Sequence, residues 1–439
     1  MKKTWKAAAL AAVLAIAGCG GTNTNEIKIG AVITSTGAFA FVGQPYGNFY
    51  KAYVEYINAN ADDYADALNG KTLKPIIYDE GGDGNVGKTY IEKLINDDKV
   101  FALVGVLGTW NVVAAKTVLE EAKVPSVYFG TGTSAQMFEP AYGYQRYMMG
   151  VQPLYKTEGR LMYLRSLTEF EGVTKIGVVH TSSDDGASLK AGIEYQASLD
   201  LRANKPQIIY QQVTTTVASE MSQQIEAVKD CDVIIAAANQ ATFKGIYQAV
   251  QLNATAKGAP VLTTYVNIAP TAIPDEAVTT VGASDIYGAA WVVFNEEEGS
   301  STEADRRLAD YEEFLAVVDA NIGGHIPAAE KEAYKLSAYA MSSFIAIRMF
   351  MEGLKRVNDQ EMELTAANYV MAMEQGKIPV AISGSVNYEG GQRIGLDSLS
   401  FVKYVKPATG TVAAAGSFVE EAPMKSIDDL FAELSTITA

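Results

Sequence analysis

The chain contains 439 residues, of which 48% are hydrophobic and 20% charged, and its formal net charge is −16. This length allows two or more domains with a sizeable buried core. So acidic a surface repels phosphate backbones, and the sequence has no basic patch with interleaved aromatic residues, which argues against nucleic-acid binding.

The first nineteen residues indicate an export signal. Lysines near the start precede an apolar run at 7–17, which is too short to span a bilayer and is followed by small residues. The sequence before Cys19 resembles the bacterial lipobox, in which that cysteine is lipidated and becomes the new N-terminus. We therefore expect residues 1–18 to be a signal peptide and residues 19–25 a lipid-anchored tether. An ordinary signal peptide with an incidental cysteine is the alternative. A lipidated Cys19 leaves Cys231 without a disulfide partner, as a small buried hydrophobic residue.

From residue 26 onward, strand-like and helix-like segments alternate. An apolar run at 27–33 predicts a strand, and apolar residues between Tyr46 and Ile57 recur at helical spacing. The alternation continues with predicted strands at 73–78, 101–107 and 125–129 and predicted helices at 86–95 and 112–122. Repeated βαβ units of this kind indicate a parallel sheet with helices on both faces.

A second run of the same kind follows a strand-like segment at 142–150, which we interpret as a crossover between two lobes. Its predicted strands and helices alternate at 175–180, 187–198, 207–213, 221–228, 233–238, 243–252 and 260–265. Beyond residue 290 the pattern is helical at 303–318 and 327–357, and the last predicted strands are 381–388 and 399–405.

These segments predict an α/β fold in which two doubly wound parallel-sheet lobes are joined by a hinge. We expect lobe 1 to comprise residues 26–149 and 290–385, and lobe 2 to comprise residues 150–289 and 386–439. Ligands of open parallel sheets bind beyond the carboxyl ends of the strands. Two such edges that face each other across a hinge form a cleft that closes on a small molecule.

Several short motifs, taken in order, resemble the leucine/isoleucine/valine-binding proteins, the type I periplasmic solute receptors of ATP-driven importers. The motifs are Ile29-Gly30-Ala31-Val32-Ile33, Tyr56-Ile57-Asn58-Ala59, Ile77-Tyr78-Asp79, Leu94-Ile95-Asn96-Asp97-Asp98, Leu103-Val104-Gly105 and Gly177-Val178-Val179-His180. The resemblance extends from residue 27 to about residue 405 and implies the same two-lobed fold.

The resemblance implies that lobe 1 binds the carboxylate of the ligand at two successive turns. The first turn places Thr109, Trp110 and Asn111 at the start of a helix, where N–H groups and the helix dipole favour an anion. The second turn offers amide groups and hydroxyls through Gly130, Thr131, Gly132 and Thr133. Each turn by itself is also compatible with a plain helix N-cap, but two turns in register favour binding.

In lobe 2 the resemblance implies ligand contacts from Asp185, Asn239 and Tyr265, each of which lies at or beyond the end of a predicted strand. Asp185 either pairs with a ligand ammonium group or caps the following helix. The acidic residue that some amino-acid receptors carry near Tyr265 is absent from this sequence.

Two other interpretations compete with that of a binding protein: a nucleotide-binding protein and an enzyme. Residues 82–89 match the phosphate-loop pattern G-x-x-x-x-G-K-[ST], with Lys88 as its lysine. We interpret this as a chance match, because Asp79, Glu80 and Asp83 would repel phosphates. Catalysis has little support, since the sequence has two histidines, neither near a nucleophile motif, and no G-x-S-x-G.

We therefore expect an extracytoplasmic solute-binding lipoprotein of an ABC importer, not an enzyme, that needs neither cofactor nor metal. Its expected partners are an amino acid or similar small carboxylate, a membrane permease, and the membrane itself through the lipid anchor. Three aromatic residues near the first cleft-facing loop either wall an apolar ligand or pack in the core: Phe39, Phe41 and Tyr46. The principal alternative is a ligand sensor on the same fold without a transport role.

Overall fold

The computed structural model describes residues 25–133, 146–269, 272–292, 301–406 and 417–436. The expected signal peptide, most of the expected tether and Cys19 lie outside the described residues. Within the described ranges the chain forms two large sheets flanked by helices, which confirms the predicted α/β fold with two parallel-sheet lobes.

The five-stranded sheet of lobe 1 is parallel throughout. Its strands are β1 (Glu26–Ile33), β2 (Thr72–Asp79), β3 (Ala102–Leu107), β4 (Ser126–Gly130) and β5 (Met148–Met149), in the order β2-β1-β3-β4-β5. The helices between the strands are α1 (Ala40–Ala59), α2 (Ala65–Leu68), α3 (Gly84–Asn96) and α4 (Thr109–Glu121). Helix α1 packs on one face of the sheet and α3 and α4 on the other, so the central strands are buried on both sides.

The larger sheet of lobe 2 has seven strands among the described residues. They are β6 (Lys175–His180), β7 (Gln207–Gln212), β8 (Val233–Ala237), β9 (Val261–Thr263), β10 (Ile286–Ala290), β13 (Ser398–Val405) and β14 (Ser417–Ser426). The order is β14-β13-β10-β9-β8-β6-β7, with β13 and β14 antiparallel to their neighbours. The accompanying helices are α5 (Tyr155–Thr168), α6 (Asp184–Leu199), α7 (Ser222–Val228), α8 (Gln240–Leu252), α9 (Asp275–Thr279) and α14 (Ile427–Thr436).

Between β10 and β13 the chain returns to lobe 1. Helices α10 (Thr302–Ala320), α11 (Lys331–Lys335), α12 (Ala338–Asp359) and α13 (Ala366–Met373) precede a hairpin of β11 (Lys377–Pro379) and β12 (Ser385–Asn387). Helix α12 packs against α1 and α2 and is buried along most of its length. The predicted strand at 381–388 is confirmed only at Ser385–Asn387, because the residues before β12 form a turn in which Val380 N donates a hydrogen bond to the Gly384 carbonyl.

The chain passes between the lobes three times, and hydrogen bonds tie these crossovers to one another. The Ser383 hydroxyl donates to the Trp291 carbonyl, linking the second crossover to the third. The Tyr388 hydroxyl donates to the Gly150 carbonyl at 2.8 Å, linking the third crossover to the first. These bonds fix how the two sheet edges meet.

A cluster of charged side chains on α10 and α12 anchors the third crossover to lobe 1. Asp310 is buried and accepts hydrogen bonds from Arg306 Nη1 at 2.8 Å and from Ile382 N at 3.2 Å. Arg306 also donates to the carbonyls of Val380 and Ser383. Arg348 forms a second ion pair with Asp310, at 3.3 Å. Asp310 therefore links two arginines to a backbone segment of the hinge.

We expect Asp310→Ala to lower the free energy of unfolding by about 3 kcal/mol, because it leaves two arginines and a buried N–H group without their carboxylate. Urea denaturation measures the difference. The matched control is Glu312→Ala, an exposed acidic residue on the same helix, for which we expect a change within about 0.5 kcal/mol. Equal destabilisation by the two substitutions contradicts the anchoring role.

Candidate ligand-binding site

A cavity of about 700 Å³ lies between the two lobes. Its walls are formed by residues at the carboxyl ends of β1, β3 and β4 in lobe 1 and of β6, β8 and β9 in lobe 2. Because the carboxyl ends of parallel strands lie at one edge of a sheet, both lobes present these loops to the same space. Gln152 and Trp291, from two of the crossovers, complete the lining.

The wall from lobe 1 is mainly aromatic. It contains Phe39, Phe41, Tyr46, Trp110, Tyr128 and Tyr339. The rings pack against one another, with centroid separations of 4.7 Å for Phe39 and Trp110 and 6.1 Å for Phe41 and Tyr339. This wall offers a broad apolar surface that is already organised, so an apolar ligand group gains contact without first ordering these side chains.

Directly behind this wall lies the buried carboxylate of Glu80, whose side chain is 3% exposed. Its oxygens accept hydrogen bonds from the Thr34 hydroxyl, from Gly82 N, from Trp110 Nε1 at 3.2 Å and from Asn111 Nδ2 at 3.0 Å. Four donors directed at one carboxyl group match the acceptor-only carboxylate form. Glu80 thereby fixes the orientation of the indole ring that lines the cavity.

The structure places the predicted residues of lobe 1 at two depths. Thr109, Trp110 and Gly130 line the cavity. Four others lie behind the lining: Asn111, Thr131, Gly132 and Thr133. The Asn111 side chain is fully buried, and its Nδ2 atom donates to Glu80 and to the Leu107 carbonyl, so both amide N–H groups are engaged within lobe 1.

The Thr131 hydroxyl stabilises the second turn and links it to the first. The Thr131 hydroxyl lies 2.7 Å from the Thr109 hydroxyl and accepts a hydrogen bond from Thr133 N at 3.1 Å. The Gly132 carbonyl accepts from Tyr155 N of lobe 2 at 2.8 Å. A side chain at Gly132 would collide with Tyr155 and Tyr265, so this glycine permits close contact between the lobes.

The wall from lobe 2 is polar and acidic. Asp184 and Asp185 occupy the first turn of α6, and Asn239 precedes α8. Burial raises the pKa of Asp184, the Thr133 hydroxyl lowers it, and the neighbouring Asp185 raises it. The Asn239 Oδ1 atom is buried and has no hydrogen-bond partner among the described residues. This wall thus presents two carboxylates to the cavity, together with side chains such as Asn239 and Thr242 that can also donate hydrogen bonds.

Tyr265 joins the cavity to the first crossover and to the core of lobe 2. Its hydroxyl accepts from Gln152 Nε2 at 2.8 Å, and the Tyr128 hydroxyl of lobe 1 donates to Gln152 Oε1 at 3.0 Å. Gln152 therefore bridges one tyrosine from each lobe. Below it, the Tyr265 N–H group and the Thr264 hydroxyl donate to the buried Glu158 carboxyl group at 2.6 and 2.8 Å.

Sequence reasoning missed five residues that shape the site: Glu80, Gln152, Glu158, Trp291 and Tyr339. Glu80 follows β2, and this position at the carboxyl edge of the sheet was the available signal. Glu158 lies on α5, which is buried on nearly all sides and therefore lacks the polar face that reveals a helix in a sequence. The other three lie on crossovers or on α12, whose place at the cavity depends on long-range packing.

The phosphate-loop match at 82–89 forms the turn before α3 and the first turns of that helix. Asp83 Oδ1 accepts hydrogen bonds from Asn85 N at 2.8 Å and Val86 N at 3.4 Å. A carboxylate therefore already occupies the helix N-terminus that a phosphate would need. Lys88 is half-buried, and its Nζ atom lies 4.0 Å from the Glu92 carboxylate on the same helix. These contacts support the interpretation as a chance match.

Among the residues that the structure describes, no group of three or more histidine, cysteine, aspartate or glutamate side chains could hold a metal ion. None of the helices in the same ranges combines the length and apolar character needed to cross a bilayer. Cys231 is buried, as predicted, and burial raises the pKa of its thiol to about 11, so the thiol stays protonated at neutral pH.

The chain matches the family model described as periplasmic binding protein over residues 26–405. This match covers most of the sequence, and the chain therefore belongs to the periplasmic binding protein family. A comparison with curated proteins gives no match.

Solved structures share the fold at low sequence identity. A fatty acid ABC transporter substrate-binding protein from Thermomonospora curvata is 17% identical, with a TM-score of 0.66 and coverage of 92% of this chain and 94% of that one. A branched-chain amino acid ABC transporter protein from Thermus thermophilus with bound valine is 13% identical, with a TM-score of 0.69 and coverage of 93% and 98%. A solute-binding protein from Rhodopseudomonas palustris BisB5, in complex with 3,4-dihydroxybenzoic acid, is 16% identical, with a TM-score of 0.62 and coverage of 92% and 98%.

The buried Glu158 predicts a dependence of stability on pH. Burial raises the pKa of its carboxyl group from about 4.5 to about 8, although the hydrogen bonds from Tyr265 N and the Thr264 hydroxyl act to lower it. Between these two values the folded state holds a proton that the unfolded state has lost. The free energy of unfolding should therefore fall as pH rises through this window, by at most about 1.4 kcal/mol per pH unit.

The measurement is urea denaturation of the protein and of Glu158→Gln from pH 5 to pH 8. The amide keeps an acceptor for Tyr265 N and a donor for Thr264 but cannot ionise, so the difference in stability should shift in favour of the variant as pH rises. A difference that stays constant across this range contradicts the assignment.

Proposed function

We propose that this member of the periplasmic binding protein family is the solute receptor of an ABC importer. It would capture an amino acid or a related small solute between its lobes and present it to a membrane permease. The cavity walled by both lobes carries the proposal, because such a site is complete only when the lobes meet around a ligand. Family membership implies an extracytoplasmic location, and we propose that lipid on Cys19 holds the protein at the membrane.

The moving bodies in this proposal are residues 26–149 with 290–385, and residues 150–289 with 386–439. The lobes meet where Tyr155 N donates to the Gly132 carbonyl and where the Tyr339 hydroxyl donates to the Val266 carbonyl at 3.4 Å. Opening requires these contacts to separate while the hydrogen-bonded crossovers bend. A ligand that bridges the two walls favours the closed state by its extra contacts there.

The ligand's ammonium group would contact lobe 2, where Asp185 supplies a carboxylate and Asn239 supplies an unpartnered buried oxygen. A carboxylate, where the ligand has one, would contact the first-turn N–H groups of α4 at Thr109 and Trp110, which lack intrahelical acceptors. Thr131 and Thr133 would act behind the lining by holding the second turn in place. The apolar part of the ligand would rest on the aromatic wall.

The only tryptophans after the expected signal peptide, Trp110 and Trp291, both line the cavity, so intrinsic fluorescence reports its occupation. We expect amino acids or related amines to change this fluorescence saturably. Asp185→Asn should weaken their binding by roughly 10- to 100-fold, because it removes a charge-assisted hydrogen bond. The control is Asp230→Asn, an exposed carboxylate before β8, at the opposite end of that strand from the cavity. Unchanged affinity in Asp185→Asn contradicts the assignment of Asp185 as the partner of the ligand's ammonium group.

Transport is tested in cells that produce the protein, by following uptake of a radiolabelled ligand found in the fluorescence titration. Deletion of the gene should abolish high-affinity uptake, and expression of Asp185→Asn should restore it only at higher ligand concentration. If deletion leaves uptake unchanged but removes a transcriptional or motility response to the ligand, the protein is a sensor instead.

A further inference from the structure

The chemistry of the cavity points to a narrower class of ligand than amino acids as a whole. The geometry points to an organic amine of net positive charge, with an aromatic or similarly bulky apolar body, whose recognition does not depend on a carboxylate. This inference rests on the proposed function, since it specifies the solute captured in the same cavity.

The charge of the lining is one-sided. Asp184 and Asp185 are the carboxylates among the described residues that line the cavity, and that lining contains no lysine, arginine or histidine. A zwitterionic ligand would leave these charges incompletely balanced, whereas a ligand of net positive charge complements them. Buried charges that lack a partner are costly, so this balance matters most once closure removes water.

The carboxylate of Glu80 lies beside the anion site expected at the start of α4. Glu80 accepts hydrogen bonds from Trp110 Nε1 and Asn111 Nδ2, two side chains in the first turn of that helix. No lysine, arginine or histidine forms an ion pair with Glu80 among the described residues. A ligand carboxylate at this helix terminus would thus meet a like charge, which offsets the attraction of the helix dipole.

The charged groups that lobe 2 presents to the cavity are acceptors, while the Asn239 amide and the Thr242 hydroxyl, which also line it, can donate as well as accept. Asn239 Oδ1 is buried without a partner, and Asp185 faces the same cavity. An ammonium group carries three N–H donors and no acceptor, which matches the Asp184 and Asp185 carboxylates, whereas a ligand carboxylate would be repelled by them. In lobe 1, the Tyr46 side chain lines the cavity and is 1% exposed, and its hydroxyl also lacks a partner among the described residues.

The aromatic side chains that line the whole cavity suit both the apolar body and the ammonium group of such a ligand. Nine aromatic side chains line the cavity, enough to enclose a bulky apolar body on several sides. Their ring faces also attract a cation when water is excluded. A volume of about 700 Å³ falls within the range of pockets that enclose ligands much larger than a short aliphatic side chain.

The test compares three compounds that share one body and differ only in charged groups: phenethylamine, phenylalanine and 3-phenylpropionate. A second series consists of tryptamine, tryptophan and indole-3-propionate. Isothermal titration calorimetry measures their affinities for the unmodified protein. We expect each amine to bind at least about tenfold more tightly than its amino acid, and the acids to bind most weakly.

If amino acids bind in an Asp185-dependent manner and the amines bind more weakly, this inference is wrong, but the proposed function still stands. Tightest binding by the acids overturns it as well. Absence of binding by every compound in both series counts against the inference and the proposed function together.

A variant tests the role of the Glu80 carboxylate. Glu80→Gln should reduce the preference for amine over amino acid by about tenfold, because it removes the charge beside α4. Glu92→Gln, at a half-buried position on α3 where Glu92 pairs with Lys88, is the control and should leave the preference unchanged. Thermal melting of both variants checks that they fold. A preference unaltered in folded Glu80→Gln contradicts the role given to Glu80, whereas the compound series does not depend on any variant.

Discussion

The structure depends on one constraint: two parallel sheets must present their carboxyl edges to each other across three chain crossovers. A parallel sheet places all of its strand-to-helix turns at one edge, so each lobe alone carries half of a site. The hydrogen bonds that connect the crossovers, from Ser383 to Trp291 and from Tyr388 to Gly150, keep these two halves facing each other. Gln152 extends this connection into the cavity by bridging Tyr128 of lobe 1 and Tyr265 of lobe 2.

Two buried carboxyl groups then shape the walls, one in each lobe. Glu80 positions Trp110 and Asn111, and Glu158 positions the backbone at Tyr265. Neither appears among the residues that line the cavity. Burying such groups is costly unless every oxygen finds a donor, and here hydroxyl, amide and backbone donors provide that satisfaction. The cavity surface is therefore organised before any ligand arrives.

Much of this arrangement could be predicted from the sequence, and the remainder depends on long-range contacts. The alternation of strands and helices predicted the sheets because apolar runs and helical spacing are local properties. The family resemblance then implied ligand contacts at the strand ends, and six of the residues it implied line the cavity: Thr109, Trp110, Gly130, Asp185, Asn239 and Tyr265. Helix α5 was missed because burial on nearly all sides removes its polar face. The sequence also does not show how deep each residue lies. Asn111 and Trp110 are adjacent in sequence, yet Asn111 lies behind the wall and Trp110 forms part of it. Both side chains donate to Glu80, about thirty residues earlier in the chain, and such a long-range contact cannot be inferred from local sequence.

The unequal chemistry of the two walls gives closure a specific role in discrimination. The aromatic wall of lobe 1 attracts any apolar body, whether the lobes are apart or together, and therefore selects little. The carboxylates of lobe 2 act strongly only when closure excludes water, because the attraction between charges grows as the effective dielectric constant falls. In our proposal a cationic ligand stabilises the closed state, while an uncharged ligand of the same shape leaves buried carboxylates unpaired and favours the open state. Selectivity would then depend on the fraction of receptor molecules that close. The closed receptor is also the form that a permease can distinguish from the empty one.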